Sequence, residues 1–278
     1  VSACRLSLPV GSEKTNGFLE PPETLHVSRG RKNCMKTKIM TVDLENDLRS
    51  NRCKSIEIIV PKLLDFFDDQ KIKSTFFVVT SLLEKYETEI KEIAKKHEIA
   101  SHSHTHAWLN NKNVEFEISE SKRKMKEFGI KCQGFRAPGF ITTKNHFSLL
   151  KKNGYSYDSS LATYYPGRYN NLSLPNKPFL KEGIVTFPMA NFVYPVISSG
   201  LPYLKLLDPI SKLFPQKNIF YLHPWELLEK KDLPVANSII KSFLRRNSGK
   251  NAWKIFVKHI NKEESKWIGC QDWITQYF

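Results

Sequence analysis

The run Ser101-His102-Ser103-His104-Thr105-His106 concentrates three of the chain's 8 histidines within five residues. Neutral imidazole is the commonest side-chain ligand for transition metals. His102 and His106 are four apart and would share a face only in a helix. Here the segment leaves a strand-like run, so a turn must bring them together. Two histidines alone are more often structural or solvated than ligating; a carboxylate from elsewhere in the chain would change that. Two imidazoles and one carboxylate leave open positions on a metal, as a catalytic site needs. His104 should point away from such a site, and His97 reads as a surface or helix-end residue. The acidic stretch Asp43-Leu44-Glu45-Asn46-Asp47 offers one carboxylate as ligand and another as general base. Without the histidines it would read as a solvated turn. Arg136, placed near a carboxylate, would keep it ionised and orient it; the plainer reading is a surface ion pair. His223 could act as general acid, its imidazolium held by an acid such as Asp158. A buried structural histidine is the plainer alternative there.

The elements that must position these groups alternate between strand and helix. Lys38–Asp43, Ser74–Val79, Glu98–His102, Cys132–Phe135 and Asn218–Leu222 read as strands, with a further one near Ile184–Pro188. Between them, apolar residues recur at helical spacing from Ile56 to Phe67, where Pro61 either kinks the helix or begins it. They recur again from Leu83 to Ala94, with Thr80 or Ser81 as cap. Val114–Phe128, closed by Gly129, and His146–Lys152, stopped by Asn153-Gly154, are two more helices. Residues 159–217 read as long loops over one face, and Leu233–Arg246 and Asn251–Ile260 as closing helices. Such alternation implies an α/β fold of parallel strands joined by right-handed crossovers. Acids follow the first strand, histidines the third, arginine the fourth and histidine the last. In α/β folds the C-terminal strand ends are where sites are built.

The chain has 278 residues, enough to bury a sizeable core, with 40% hydrophobic and 26% charged residues. Residues 1–34 show no sustained period and lack the apolar segment of a secretory signal. They read as an extension to a single domain spanning 35–274, with Met35 its natural start. The 5 cysteines (Cys4, Cys34, Cys53, Cys132, Cys270) are odd in number and widely spaced. That favours reduced thiols and a cytoplasmic setting. The net charge of +15 reads first as solvated lysine-rich helix faces such as Lys91–Lys96 and Lys122–Lys126. Attraction to an anionic membrane or a phosphate-bearing substrate comes second. No nucleic-acid motif accompanies the charge, so no nucleic-acid partner is expected.

Taken in order, Asp43-Leu44-Glu45, Ser74-Thr75-Phe76-Phe77, the stretch His97–His106, Phe135-Arg136-Ala137-Pro138 and Tyr221-Leu222-His223-Pro224 resemble the motifs of the polysaccharide deacetylase superfamily. This is the NodB-homology domain of carbohydrate esterase family 4. The Asp-x-Glu first motif and His-Pro-Trp-Glu look closest to a branch found with exopolysaccharide systems, and more distantly to metal-independent allantoinase-like members. The resemblance implies a distorted (β/α)7 barrel that hydrolyses an N-acetyl group from an amino sugar. It implies a divalent metal, with Zn²⁺ the expected ion, held by Glu45, His102 and His106, with Asp47 a rival third ligand. By the same resemblance Asp43 is the base, Arg136 orients it, and His223 is the general acid. Gly139 would lend its N–H to an oxyanion hole, Leu222 would line the acetyl pocket, and Trp225 is grouped with them as substrate-binding. The family's usual Asp-Asp pair is here Asp-Leu-Glu, and Asp158 is the candidate for the acid that tunes His223. The expected substrate is an N-acetylated sugar precursor or lipid-linked glycan. Rival readings are an amidohydrolase of a small ureide or cyclic imide, and a catalytically silent carbohydrate- or membrane-binding module.

Overall fold

The computed structural model describes residues 36–165, 169–175, 177–189, 200–213 and 217–278. The extension 1–34, with Cys4 and Cys34, lies outside them. In chain order the elements are β1 (Lys36–Leu44), α1 (Lys54–Ile58), α2 (Val60–Asp69), β2 (Thr75–Val78), α3 (Glu87–Ala94), β3 (Glu98–Ser101), α4 (Val114–Glu127), β4 (Gly134–Phe135), α5 (His146–Lys152) and β5 (Tyr157–Asp158). There follow β6 (Tyr164–Tyr165), β7 (Tyr169–Asn170), β8 (Phe179–Lys181), β9 (Ile184–Thr186), α6 (Leu201–Leu206), β10 (Ile219–Leu222), α7 (Ile239–Leu244), α8 (Lys250–Ile260), β11 (Ser265–Ile268) and α9 (Cys270–Tyr277).

The main sheet runs β10-β1-β2-β3-β4-β5-β9-β8. Every pairing from β10 to β9 is parallel, which makes seven parallel strands, and β8 closes the edge antiparallel to β9. Among the described residues the two ends of this order do not pair with each other, so the sheet they form is a curled, unclosed barrel. β11 also pairs with β1, at Lys36–Ile39, below the Ile39–Val42 stretch that β10 occupies.

Strand alternation splits the apolar side chains into two layers. Ile39, Phe77, Ala100, Tyr157, Val185, Ile219 and Tyr221 line the inside of the curl. Met40, Val42, Phe76, Val78, Phe220 and Leu222 face outward into the larger core beneath the helices. α9 adds Cys270, Trp273 and Ile274 to the inner layer; neither α9 nor β11 was expected from the sequence.

Other elements differ from expectation in their bounds. The chain breaks between α1 and α2 at Ile59, with Pro61 in the first turn of α2, where its missing N–H costs nothing. Thr80 sits in a short 3-10 turn rather than capping α3. Only Ile239–Leu244 of the segment 233–246 is helical. Cys53, Cys132 and Cys270 are free and buried. No described helix is long and apolar enough to cross a membrane.

Candidate active site and metal centre

The alternation that buries Met40 and Val42 outward aims Thr41 and Asp43 into the curl at the C-terminal end of β1. Arg136, just past β4 and fully buried, reaches across to them. Its Nη1 donates to Asp43 Oδ1 at 2.5 Å and to Thr41 Oγ1 at 3.1 Å. Nη2 donates to Ser159 Oγ at 2.9 Å, and the guanidinium lies 4.0 Å from the Phe77 ring centre. A buried charge pair is tolerable only when its geometry is good and its remaining hydrogen-bonding groups are satisfied. Here most of the guanidinium is engaged, so Asp43 is held in one orientation.

The histidine loop bends by unusual backbone. Ser103 and His106 adopt φ of +66° and +65°, a region that costs non-glycine residues on the order of 1 kcal/mol or more. The surroundings hold it there. Buried Glu117 on α4 accepts the amides of His104 and Thr105 at 2.8 and 2.9 Å, and also the Thr105 hydroxyl. The His106 amide donates to Ser103 Oγ at 3.2 Å. His104 turns away and meets Thr80 Oγ1 at 2.9 Å. The bend leaves the His102 and His106 rings 5.0 Å apart. Nδ1 of His102 lies 2.9 Å from the carbonyl oxygen of Arg136. A carbonyl only accepts, so that contact puts a proton on Nδ1 and turns Nε2 toward Glu45.

Glu45 completes the group. Its Oε2 is 2.5 Å from His106 Nε2 and 3.8 Å from His102 Nε2, and Oε1 accepts from Trp225 Nε1 at 3.1 Å. Burial opposes ionisation of Glu45, but His106, His223 and His102 outweigh it and hold the carboxyl well below the usual range. One ligand atom from each of Glu45, His102 and His106 lies within 4.8 Å of the others. Two imidazoles and a carboxylate, with one imidazole's tautomer fixed by a carbonyl, suit a divalent transition ion. Asp47 stays out of this group. It accepts the Ser55 hydroxyl at 2.5 Å and the Ser55 amide at 3.3 Å at the start of α1.

His223 faces the same space from the end of β10, its Nε2 3.9 Å from Asp43 Oδ2 and 3.7 Å from Glu45 Oε1. Burial pulls its pKa down, yet Glu45, Glu226 and Asp43 raise it to about 9. The tuning acid is Glu226. It accepts the His223 amide at 3.0 Å and stands 3.6 Å from Nδ1. Behind Glu226 is the fully buried Lys205, whose Nζ is 3.8 Å from Oε1.

Asp158, expected in that role, is elsewhere. It pairs with buried His146 Nε2 at 2.9 Å and accepts the Ser160 amide at 2.9 Å. The positions of Leu222 and Trp225 also depart from expectation. Leu222 follows inward-facing Tyr221 by one residue, so it points to the outer core and not toward the site. Trp225 is buried, holds Glu45, and stacks on His223 with ring centres 5.1 Å apart, which makes it a positioning residue. Gly139 lies in the turn Pro138–Phe140 with φ +62°. A Cβ there would meet the Trp108 indole nitrogen at 3.1 Å. His97, expected at the surface or at a helix end, does follow the end of α3, its amide donating to the Ile93 carbonyl, but it is buried against Ser74 Oγ at 3.0 Å.

Sequence reasoning missed Glu117, Glu226 and Lys205. Glu226 alone left a readable signal, since an acid three residues past His223 is the spacing of a capping box.

Residues 43–157 match the family model described as polysaccharide deacetylase. No curated protein is significantly similar in sequence. Among solved structures the fold is similar to that of a Mycobacterium smegmatis protein assigned to the polysaccharide deacetylases, at 16% identity and a TM-score of 0.54, covering 90% of this chain and 94% of that one. It is also similar to a variant of the peptidoglycan deacetylase PdaC from Bacillus subtilis, at 12% identity and a TM-score of 0.50, covering 87% and 91%. At these identities the likeness is one of fold. The matched stretch runs from Asp43 through the histidine loop and Arg136 to β5, and over it the chain is similar to the polysaccharide deacetylase family.

Proposed function

We propose that the chain is a metal-dependent hydrolase that removes the acetyl group from an N-acetylated amino sugar. The observation that carries this reading is the convergence of Glu45, His102 and His106 within 4.8 Å, with Asp43, on β1 two residues before Glu45, and His223, at the end of β10, facing the same space. Glu45, His102 and His106 would hold a divalent ion, for which Zn²⁺ suits the donor set. When bound, the ion acts as a Lewis acid toward the amide carbonyl.

The chain's own groups divide the proton transfers. Asp43, oriented by Arg136, accepts a proton from water as the water oxygen bonds to the acetyl carbon. His223, carrying a proton on Nε2, gives it to the sugar nitrogen as the C–N bond breaks. The products are acetate and the free amine. Trp225 holds both Glu45 and the His223 ring, so the acid and one ligand keep a fixed relation.

Acetate release from a panel of N-acetylated sugars, nucleotide sugars and lipid-linked sugars, measured with metal content, tests the assignment. Activity should disappear with chelation and return with Zn²⁺. Turnover that survives chelation would point instead to an amidohydrolase of another substrate, and no release from any sugar with metal restored would point to a silent module. The variant Asp43→Asn should lower kcat by about 10²–10⁴-fold while retaining metal; near-normal turnover would remove Asp43 from the base role.

A further inference from the structure

The positive charge of the chain is unevenly spent. Around α3 and α4 many lysines and arginines pair with acids, among them Lys91 with Glu87, Lys95 with Glu92, Lys96 with Asp68, Lys124 with Glu84 and Arg123 with Glu120. Residues 229–262 are different: they hold nine lysines and arginines against two acids. One of those acids, Asp232, pairs with Lys54, and the other, Glu229, accepts the Lys250 amide.

Within this basic stretch α7 buries none of its residues. Ile239, Ile240 and Phe243 are 76%, 69% and 53% exposed. Their spacing of three and four residues puts them on one helix face. Exposed Ile210 and Leu213 belong to the short turn Ile210–Leu213, which packs, like α7, against α6. Beside these elements a cleft of about 610 Å³ is lined by Lys254, Lys258 and Lys262 of the α8 region, with Asn251 and one acid, Asp208. Large exposed apolar side chains in a stretch with this excess of basic residues suit an interface where hydrocarbon lies just beneath anionic headgroups.

We propose that this face, α7 and the turn Ile210–Leu213 with α8 beside them, docks the protein on an anionic lipid bilayer. The contact is peripheral: side chains enter the headgroup boundary and the lysines face phosphate. It also has a fixed relation to the candidate site. Lys205 Nζ donates to the Leu244 carbonyl at the end of α7 and to Ser248, and the same ammonium faces Glu226. The docking face is thus anchored one side chain away from the partner of His223, and a sugar held at a membrane would be presented near the reacting groups.

Sedimentation of the full chain with vesicles of phosphatidylcholine alone, and with about a third phosphatidylglycerol, tests this at low and high salt. Binding is expected only to the anionic vesicles, weakening as salt rises. The triple variant Ile239→Ser, Ile240→Ser, Phe243→Ser changes only exposed residues and should lower the partition about tenfold or more, with its circular dichroism unchanged. Lys254→Gln with Lys258→Gln should lower it in anionic vesicles without affecting the fold. Failure of the full chain to bind anionic vesicles would overturn the proposal, as would wild-type binding by the triple variant. Light scattering that shows a dimer for the full chain and a monomer for the triple variant would also overturn it, because a second copy would then cover this face.

Discussion

Glu226 shows what a residue can do that its type alone did not reveal. The sequence singled out Glu45, His102, His106, Asp43 and Arg136 as candidates only in combination, because each alone has a plainer structural reading. It did not show which acid serves His223. Asp158 was the candidate, but β5 places it against His146, a contact across 12 residues with no sequence signature. Glu226 instead holds His223 through a local turn. Its negative charge favours the imidazolium, so Glu226→Gln should let His223 lose its proton at lower pH. The raised value of about 9 includes a share from Glu45 that a bound cation would offset; the Glu226 share would remain. The alkaline limb of the kcat/KM profile should therefore move down by about half a unit or more, with metal content unchanged. An alkaline limb that stays in place would remove Glu226 from this role.

At the scale of elements, the parallel strands were legible as β-branched and aromatic runs, and the helices between them as recurring apolar residues. Elements with too few residues to carry a period were not. β5, β6 and β7 have two residues each, and β11 and α9 follow the last helix that periodicity could identify. The histidine loop is the informative case. Spacing alone said that a turn was needed, while the turn itself depends on Glu117 of α4, 11 residues beyond His106 in sequence, through bonds to His104 and Thr105. Glu117→Gln keeps the size and removes the charge. With two amides and a hydroxyl more weakly held, the strained φ values at Ser103 and His106 are less well enforced. The expected result is a loss of about 10–100-fold in metal affinity and roughly 1–3 kcal/mol in stability. Titration with Zn²⁺ against a competing chelator, alongside thermal unfolding, measures both. Unchanged metal affinity would show that the loop keeps its shape without that carboxylate.

For the whole molecule, the alternation of strand and helix foretold a parallel α/β fold, and the curl gathers the ends of β1, β3, β4 and β10 and the histidine loop around one space. What the sequence could not show is how burial changes the ionisation of histidines far from that space. His97 is buried between Phe67 and Phe76, and burial lowers its pKa to about 4, with Lys73 adding to the effect. His259, stacked on Phe220, is also lowered to about 4, by burial first and then Lys38. A base with a depressed folded pKa resists protonation in the native state. Its contribution to stability is therefore fully present above the unfolded value near 6.5 and is lost as pH falls toward 4. Each such histidine accounts for about 3 kcal/mol at most across that window. His223 has the opposite sign: raised to about 9, it contributes below pH 6.5 and loses that contribution as pH climbs to 9. In the metal-free protein, thermal stability should therefore fall on both sides of a maximum near pH 6.5. The acid side is assigned by His97→Asn, which keeps a hydrogen-bonding group near Ser74 and removes the titration. Unfolding midpoints from pH 4 to 7 should then change less steeply than in the parent chain, while the alkaline side is unchanged. An equally steep acid limb in that variant would mean that carboxylates, and not buried histidines, set the acid sensitivity of the fold.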